Sequence, residues 1–163
     1  MSSVQLIADT NVVSYLFNKS ALGFEYAELI DCRNVGITAH SIAELRTGAV
    51  IAQWGERRLN ELLRFLEKFA HVPYTKEMAQ VCGGIRGHRT RIGEPIDWPD
   101  AWAAACALWL DVPLVTHDRD LEGIPGLRVL TVHREWRVRE EAFGALGTLW
   151  LGEGSSLCER SLA

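Results

Sequence analysis

The chain has 163 residues, 48% of them hydrophobic and 23% charged, and carries a formal net charge of −4 at pH 7. That length fits one globular domain with a real core, and the negative balance argues against a nonspecific nucleic-acid binder, which is usually basic. No stretch approaches the roughly 20 apolar residues of a membrane helix, and no basic-then-apolar leader opens the chain. A cytoplasmic protein is the expectation. Cys32, Cys82, Cys106 and Cys158 lack C-x-x-C spacing, so neither a zinc site nor a disulfide framework is indicated.

Val4 to Ala8 reads as a short buried strand. Asp9 falls at its end, and Val12, Val13, Tyr15 and Leu16 follow at helical spacing. Ala21 to Ile30 forms a second helix, Val35 to Thr38 a second strand, and Ser41 opens a third helix. After Gly55, the repeat Leu59, Leu62, Leu63, Leu66 and Phe69 marks an amphipathic helix. His71 to Tyr74 is a minimal strand, with Thr75 as the cap of a helix carrying Met78, Val81, Cys82 and Ile85 on one face. His88 to Pro95 reads as a basic loop, followed by an Ala- and Trp-rich helix from about Pro99 to Leu110. Val112 to Thr116 and Leu127 to Val132 are the remaining strands. Strands alternating with helices predict an α/β fold with a parallel sheet covered on both faces. The expected division is residues 1–133 as the main domain and 134–163 as an extension, a helix with Trp136, Phe143 and Trp150 on one face and then a loose tail.

Four acids stand where strands give way to helices or turns: Asp9, Glu44, Asp100 and Asp118. In a parallel sheet the carboxyl ends of all strands share one edge, where ligands bind. Carboxylates gathered there raise one another's pKa unless a cation compensates, and an all-oxygen donor set suits Mg²⁺, with Mn²⁺ as a substitute. Each acid also has a plainer reading. Asp9 fits a helix cap, Ser41-x-x-Glu44 fits a capping box, Asp97 and Asp100 fit a cap and a first-turn dipole acid, and Asp118 with Asp120 fits a turn. Four such acids on one edge favour the site.

These segments, I-A-D-T-N-V at Asp9, S-I-A-E-L at Glu44, D-W-P-D-A-W-A-A-A at Asp100 and P-L-V-T-H-D-R-D-L at Asp118, resemble the PIN-domain ribonucleases, specifically the VapC-type toxins of VapBC toxin–antitoxin pairs. The resemblance covers about residues 4–132. It implies a PIN-like three-layer α/β/α sandwich with a mostly parallel central sheet. It also implies Mg²⁺-dependent endonucleolytic cleavage of RNA at a site of Asp9, Glu44, Asp100 and Asp118. Asp100 precedes Ala103-Ala104-Ala105 at the family's distance, and Asp97 is the competitor. The resemblance further implies a homodimer and a tight VapB-like antitoxin partner, whose tail lays apolar residues in a groove and a basic side chain among the acids.

Around the acids, Thr10, Asn11 and Thr116 are candidates to orient carboxylates. Arg86, Arg89 and Arg91, with His88, form the densest basic cluster and are candidates for RNA contact, or else a solvated loop. Trp98 and Trp102 read as core packing, with base stacking as their other role. Tyr15, Leu16, Phe17 and Phe24 are candidates for the partner groove, or for core. Two rival functions stay open. A Mg²⁺-dependent aspartate-nucleophile phosphatase wants a second acid two residues after Asp9, where Asn11 stands. A PIN-fold binding module without catalysis would bind metal or partner but cleave nothing.

Overall fold

The computed structural model describes residues 3–132. Within them, β1 (Leu6–Ala8) leads to α1 (Thr10–Phe17) and α2 (Ala21–Ile30); β2 (Val35–Thr38) leads to α3 (Ala39–Ile51) and α4 (Glu56–Leu66). Next come β3 (Ala70–Val72), α5 (Lys76–Arg91) and α6 (Trp98–Leu110), then β4 (Leu114–Val115), a 3-10 turn at Arg119–Leu121, and β5 (Val129–Leu130). The sheet runs β3-β2-β1-β4-β5 with every neighbouring pair parallel. The expected helix bearing Trp136, Phe143 and Trp150 lies outside the described residues.

Strand alternation sorts the apolar side chains into two cores. Leu6, Ala8, Val35, Ile37 and Val115 face α1, α2, α3 and α4, where Val12, Val13, Tyr26, Ala49, Leu62 and Leu66 meet them. Ile7, Val72 and Leu114 face α5 and α6, packing on Met78, Val81, Ile85 and the small residues Ala101 and Ala103 to Ala107. The result is the expected three-layer α/β/α sandwich. The alanine run lets α6 be buried almost all round between the sheet and α5. Gly23 lets α1 and α2 approach: a Cβ there would stand 2.1 Å from the Tyr15 carbonyl oxygen.

Three boundaries differ from the sequence reading. Every strand but β2 is shorter than expected, but the hydrogen-bonded line through β4 runs from the Pro113 carbonyl, which accepts Ile7 N–H, to Thr116, whose N–H reaches the Leu130 carbonyl. The third helix starts at Ala39 rather than Ser41, because the Thr38 hydroxyl caps it by accepting Ser41 N–H at 3.1 Å. The expected loop at His88 to Pro95 begins as the last turn of α5. Arg89, only 7% exposed, anchors that end: its guanidinium donates to the Glu94 and Asp120 carbonyls and pairs with the Glu94 carboxylate at 2.7 Å.

Candidate active site

From β1 the chain winds outward to β2 and β3, then crosses back after α6 to place β4 on the other side of β1. The carboxyl ends of β1 and β4 thus lie side by side where the winding reverses, the position at which open α/β sheets bind ligands. Asp9 is the first residue past β1, and its N–H extends the ladder to the Val115 carbonyl at 2.9 Å. One carboxylate oxygen accepts Thr10 N–H at 2.6 Å and caps α1; the other accepts the Thr116 hydroxyl at 2.9 Å. The Thr116 hydroxyl oxygen in turn accepts Asp118 N–H at 3.0 Å, and Asp118 accepts Asp120 N–H at 2.9 Å, capping the 3-10 turn. Capping and the site are therefore compatible for Asp9 and Asp118, since each carboxylate uses one oxygen for the cap. Thr116 links the two acids through a single hydroxyl.

Glu44 joins this edge from α3. Ser41 lies inside that helix, with Thr38 as its cap, so the alternative of a Ser41–Glu44 capping box does not hold. The Glu44 carboxylate instead accepts the Thr10 hydroxyl at 2.5 Å, reaching from α3 to the first residue of α1. Asn11, next along, is exposed on that first turn.

Asp100 lies in the first turn of α6, half-buried, while Asp97 is exposed at the N-cap position and makes no side-chain cap bond. Burial first, then the charges of Asp9, Asp118 and Glu44, and last that of Asp97, push the Asp100 carboxyl up to about 7. Asp9 is also raised: its burial, with Glu44 and Asp118 adding repulsion, outweighs the bonds from Thr116 and Thr10. The four acids thus share one electrostatic neighbourhood. Among the described residues no Lys, Arg or His forms an ion pair with any of them.

That donor set fits a hard divalent cation in charge and in chemistry, being all carboxylate oxygen without thiolate or imidazole. As the side chains stand, however, no three Asp, Glu, His or Cys among the described residues are gathered closely enough to share one ion. Glu44, exposed on α3, and Asp100, half-buried, have solvent beside them into which their carboxylates can turn.

The basic candidates separate. Arg89 is buried and engaged by three polar partners at the end of α5, which sets it apart from the other two. Arg86 lies over the Trp98 ring at 4.1 Å, and Arg91 is exposed beside His88. Trp98 is 53% exposed rather than core, whereas Trp102 is half-buried and stacked on Tyr74 with ring centroids 4.0 Å apart. Tyr15, Leu16 and Phe17 are half-buried against the first core, and Phe24 is exposed. Leu16 and Phe17 also line a cleft of about 860 Å³ between the end of α1 and α4, with Phe65 and the basic side chains Lys19, Arg57, Arg58, Arg64 and Lys68. None of the four acids lines it. Tyr26 escapes the sequence reading, in which His117 is merely incidental to Asp118; their side chains meet beside the Thr116–Asp118 turn. A tyrosine 90 positions away carries no local motif.

The PIN domain family model matches residues 6–127. The curated protein Ribonuclease VapC5 of Mycobacterium tuberculosis (strain ATCC 25618 / H37Rv) is 25% identical over 130 residues, covering 78% of this chain and 93% of that protein. DNA-bound VapBC from Salmonella typhimurium superposes with a TM-score of 0.69 at 27% identity, covering 79% of this chain and 98% of the other. VapBC-5 from Mycobacterium tuberculosis, a member of the VapBC family of toxin-antitoxin systems, superposes with a TM-score of 0.60 at 26% identity, covering 80% and 100%. With the three-layer fold and the four acids already in view, the chain belongs to the PIN domain family and is similar within it to the VapC ribonucleases.

Proposed function

We propose that this chain is a Mg²⁺-dependent endoribonuclease, the toxin of a type II toxin–antitoxin pair, acting in the cytoplasm. One observation carries the reading: four acids from four separate elements, Glu44 from within α3 and the other three from element ends, repel one another at the switch point of the sheet, with no described basic partner. Asp9, Asp100 and Asp118 would hold the ion, with Glu44 completing the set. When bound, the ion supplies Lewis-acid activation of water and neutralises charge on the phosphodiester, with Mn²⁺ able to substitute. The chain's own residues do the positioning. Thr116 holds the Asp9 carboxylate and the Asp118 backbone in register, and Thr10 steers Glu44. Asp100, pushed up to about 7, gives up a proton when a cation enters. Arg86 and Arg91 remain the candidates for RNA contact.

The antitoxin reading also has support. The VapBC pairs similar to this chain are toxin–antitoxin systems by name, and the α1–α4 cleft offers an apolar floor of Leu16, Phe17 and Phe65 inside a basic rim. An amphipathic partner helix with acidic flanks matches it. A homodimer completes the proposal. RNA cleavage and Mn²⁺ titration on the purified chain test the core of it. Cleavage that needs divalent metal and leaves 5′-phosphate ends is expected. The acids' failure to gather around one point favours the rival, a PIN-fold binding module, and metal binding with no cleavage would establish that rival instead.

A further inference from the structure

Tyr26 lies on α2, which contributes none of the four acids, and its side chain is fully buried. Its phenol oxygen stands 3.0 Å from the Thr116 carbonyl oxygen, 2.9 Å from His117 Nδ1 and 3.2 Å from the Thr131 hydroxyl. A carbonyl only accepts, so the phenol proton goes to Thr116, and the phenol oxygen accepts from His117 Nδ1–H and from Thr131. The rings add to the hold. His117 meets Tyr15 edge-on at 5.6 Å and Tyr26 edge-on at 5.9 Å, while Tyr15 and Tyr26 stack at 6.3 Å. Burial raises the phenol above its ordinary pKa, which keeps it protonated and donating at neutral pH.

Two of these contacts, those to the Thr116 carbonyl and the His117 ring, fall on the segment that sets the acids, while Thr131 and Tyr15 hold the phenol and the rings from the end of β5 and from α1. Thr116 is the residue whose hydroxyl binds Asp9 and receives Asp118 N–H, and His117 lies between Thr116 and Asp118. We infer that Tyr26 is a positioning residue: by clamping the Thr116 carbonyl and the His117 ring, it fixes the turn that presents Asp118 beside Asp9. The phenol acts on the carboxylates only through Thr116 and His117. The clamp also explains why His117, which has no partner evident from sequence, sits between two site residues.

Tyr26→Phe keeps the ring and its stacking and removes only the hydroxyl. In the metal-free chain, amide exchange should quicken about tenfold at Asp118 and Thr116 while the amides of α5, on the far face of the sheet, keep their wild-type rates. Mn²⁺ binding without RNA should weaken about tenfold, the low end for a residue that orients a ligand. This metal arm rests on the proposed roles of Asp9 and Asp118, whereas the exchange arm does not. A wild-type chain that binds no Mn²⁺ would therefore sink the metal reading alone. Unchanged exchange at Asp118, or exchange quickened equally throughout the chain, would overturn the clamp. Should Tyr26→Phe fail to fold, His117→Phe keeps an aromatic ring there and removes one of the two contacts through which the phenol holds the turn. A local quickening at Asp118 then supports the clamp and an unchanged rate refutes it.

Discussion

Two regions of this molecule carry opposite charge, and they are built in opposite ways. The acid edge collects Asp9, Asp100 and Asp118 from the ends of separate elements and Glu44 from within α3, without a described basic partner. The cleft between α1 and α4 collects Lys19, Arg57, Arg58, Arg64 and Lys68 around an apolar floor, with Glu61 the one acid among the described residues that line it. Much of its charge is already engaged: Arg58 lies over the Trp54 ring at 4.1 Å and donates to the Asn18 side chain, and Arg57 pairs with Glu61. A formal charge of −4 averages over both and describes neither. Like charges without a described counter-charge at a partly buried edge store a demand for a cation, whereas like charges on a solvated rim cost little and steer a partner of opposite sign.

The largest expected effects break the acid edge. Asp9→Asn and Asp100→Asn should each lower RNA cleavage by more than about 100-fold, beyond what is usual for residues that merely orient a ligand. Mn²⁺ binding should weaken in parallel, and circular dichroism should stay native. Undiminished cleavage by either variant removes that residue from the site. Glu44→Gln comes next. A glutamine oxygen can still accept the Thr10 hydroxyl, so the melting temperature should hold while the rate falls about 10- to 100-fold. A normal rate would reduce Glu44 to a tether between α3 and α1.

Changes in the cleft should have the reverse profile. Arg64→Glu places an acid on the exposed rim, and Leu16→Glu places one on the floor. Partner binding should weaken about tenfold for the rim and more for the floor, with cleavage by the free chain within about twofold of wild type. The rim variant should also flatten the salt dependence of association. Intact partner binding by both variants would leave the cleft without its proposed occupant, whatever the acids do.

The two regions also differ in how far the sequence betrays them. Asp9 follows directly on a strand, and Asp100 and Asp118 open a helix and a turn, so local pattern points to those three; Glu44 lies within α3 and is picked out only with its S-x-x-E-L segment, and the parallel sheet supplies a common edge. The cleft needs α1 laid against α4, a contact between residues some 40 positions apart, such as Asn18 and Arg58. Read along the chain, Arg57, Arg58 and Arg64 look like any solvated helix face. The same limit hid the role of Arg89, whose basic neighbours suggested a loop: its partner Glu94 is five residues on, but Asp120 lies 31 positions away. It also hid Tyr26. Boundaries failed for a smaller reason: the Thr38 hydroxyl, not that of Ser41, starts α3, and either residue type makes a good cap.

A smaller change at the acid edge is measurable without any substrate. Asp100 titrates at about 7 in the fold against an ordinary 3.8, so between those values the folded chain holds a proton that the unfolded chain has lost. Stability therefore falls as pH rises through that window, opposite to the usual salt-bridged carboxylate. The raised Asp9 carboxyl adds in the same direction. Because Asp100 is only half-buried, solvent screening leaves about 1–2 kcal/mol of the shift as destabilisation. In metal-free buffer the melting temperature should then drop by about 3–6 °C between pH 4.5 and 7.5 relative to Asp100→Asn. Saturating Mg²⁺ should erase most of that difference, because the ion supplies the missing positive charge and stabilises the fold that binds it. Parallel melting curves for wild type and Asp100→Asn across the window would show instead that the acids are already compensated, and the proposed need for a cation at this edge would fail.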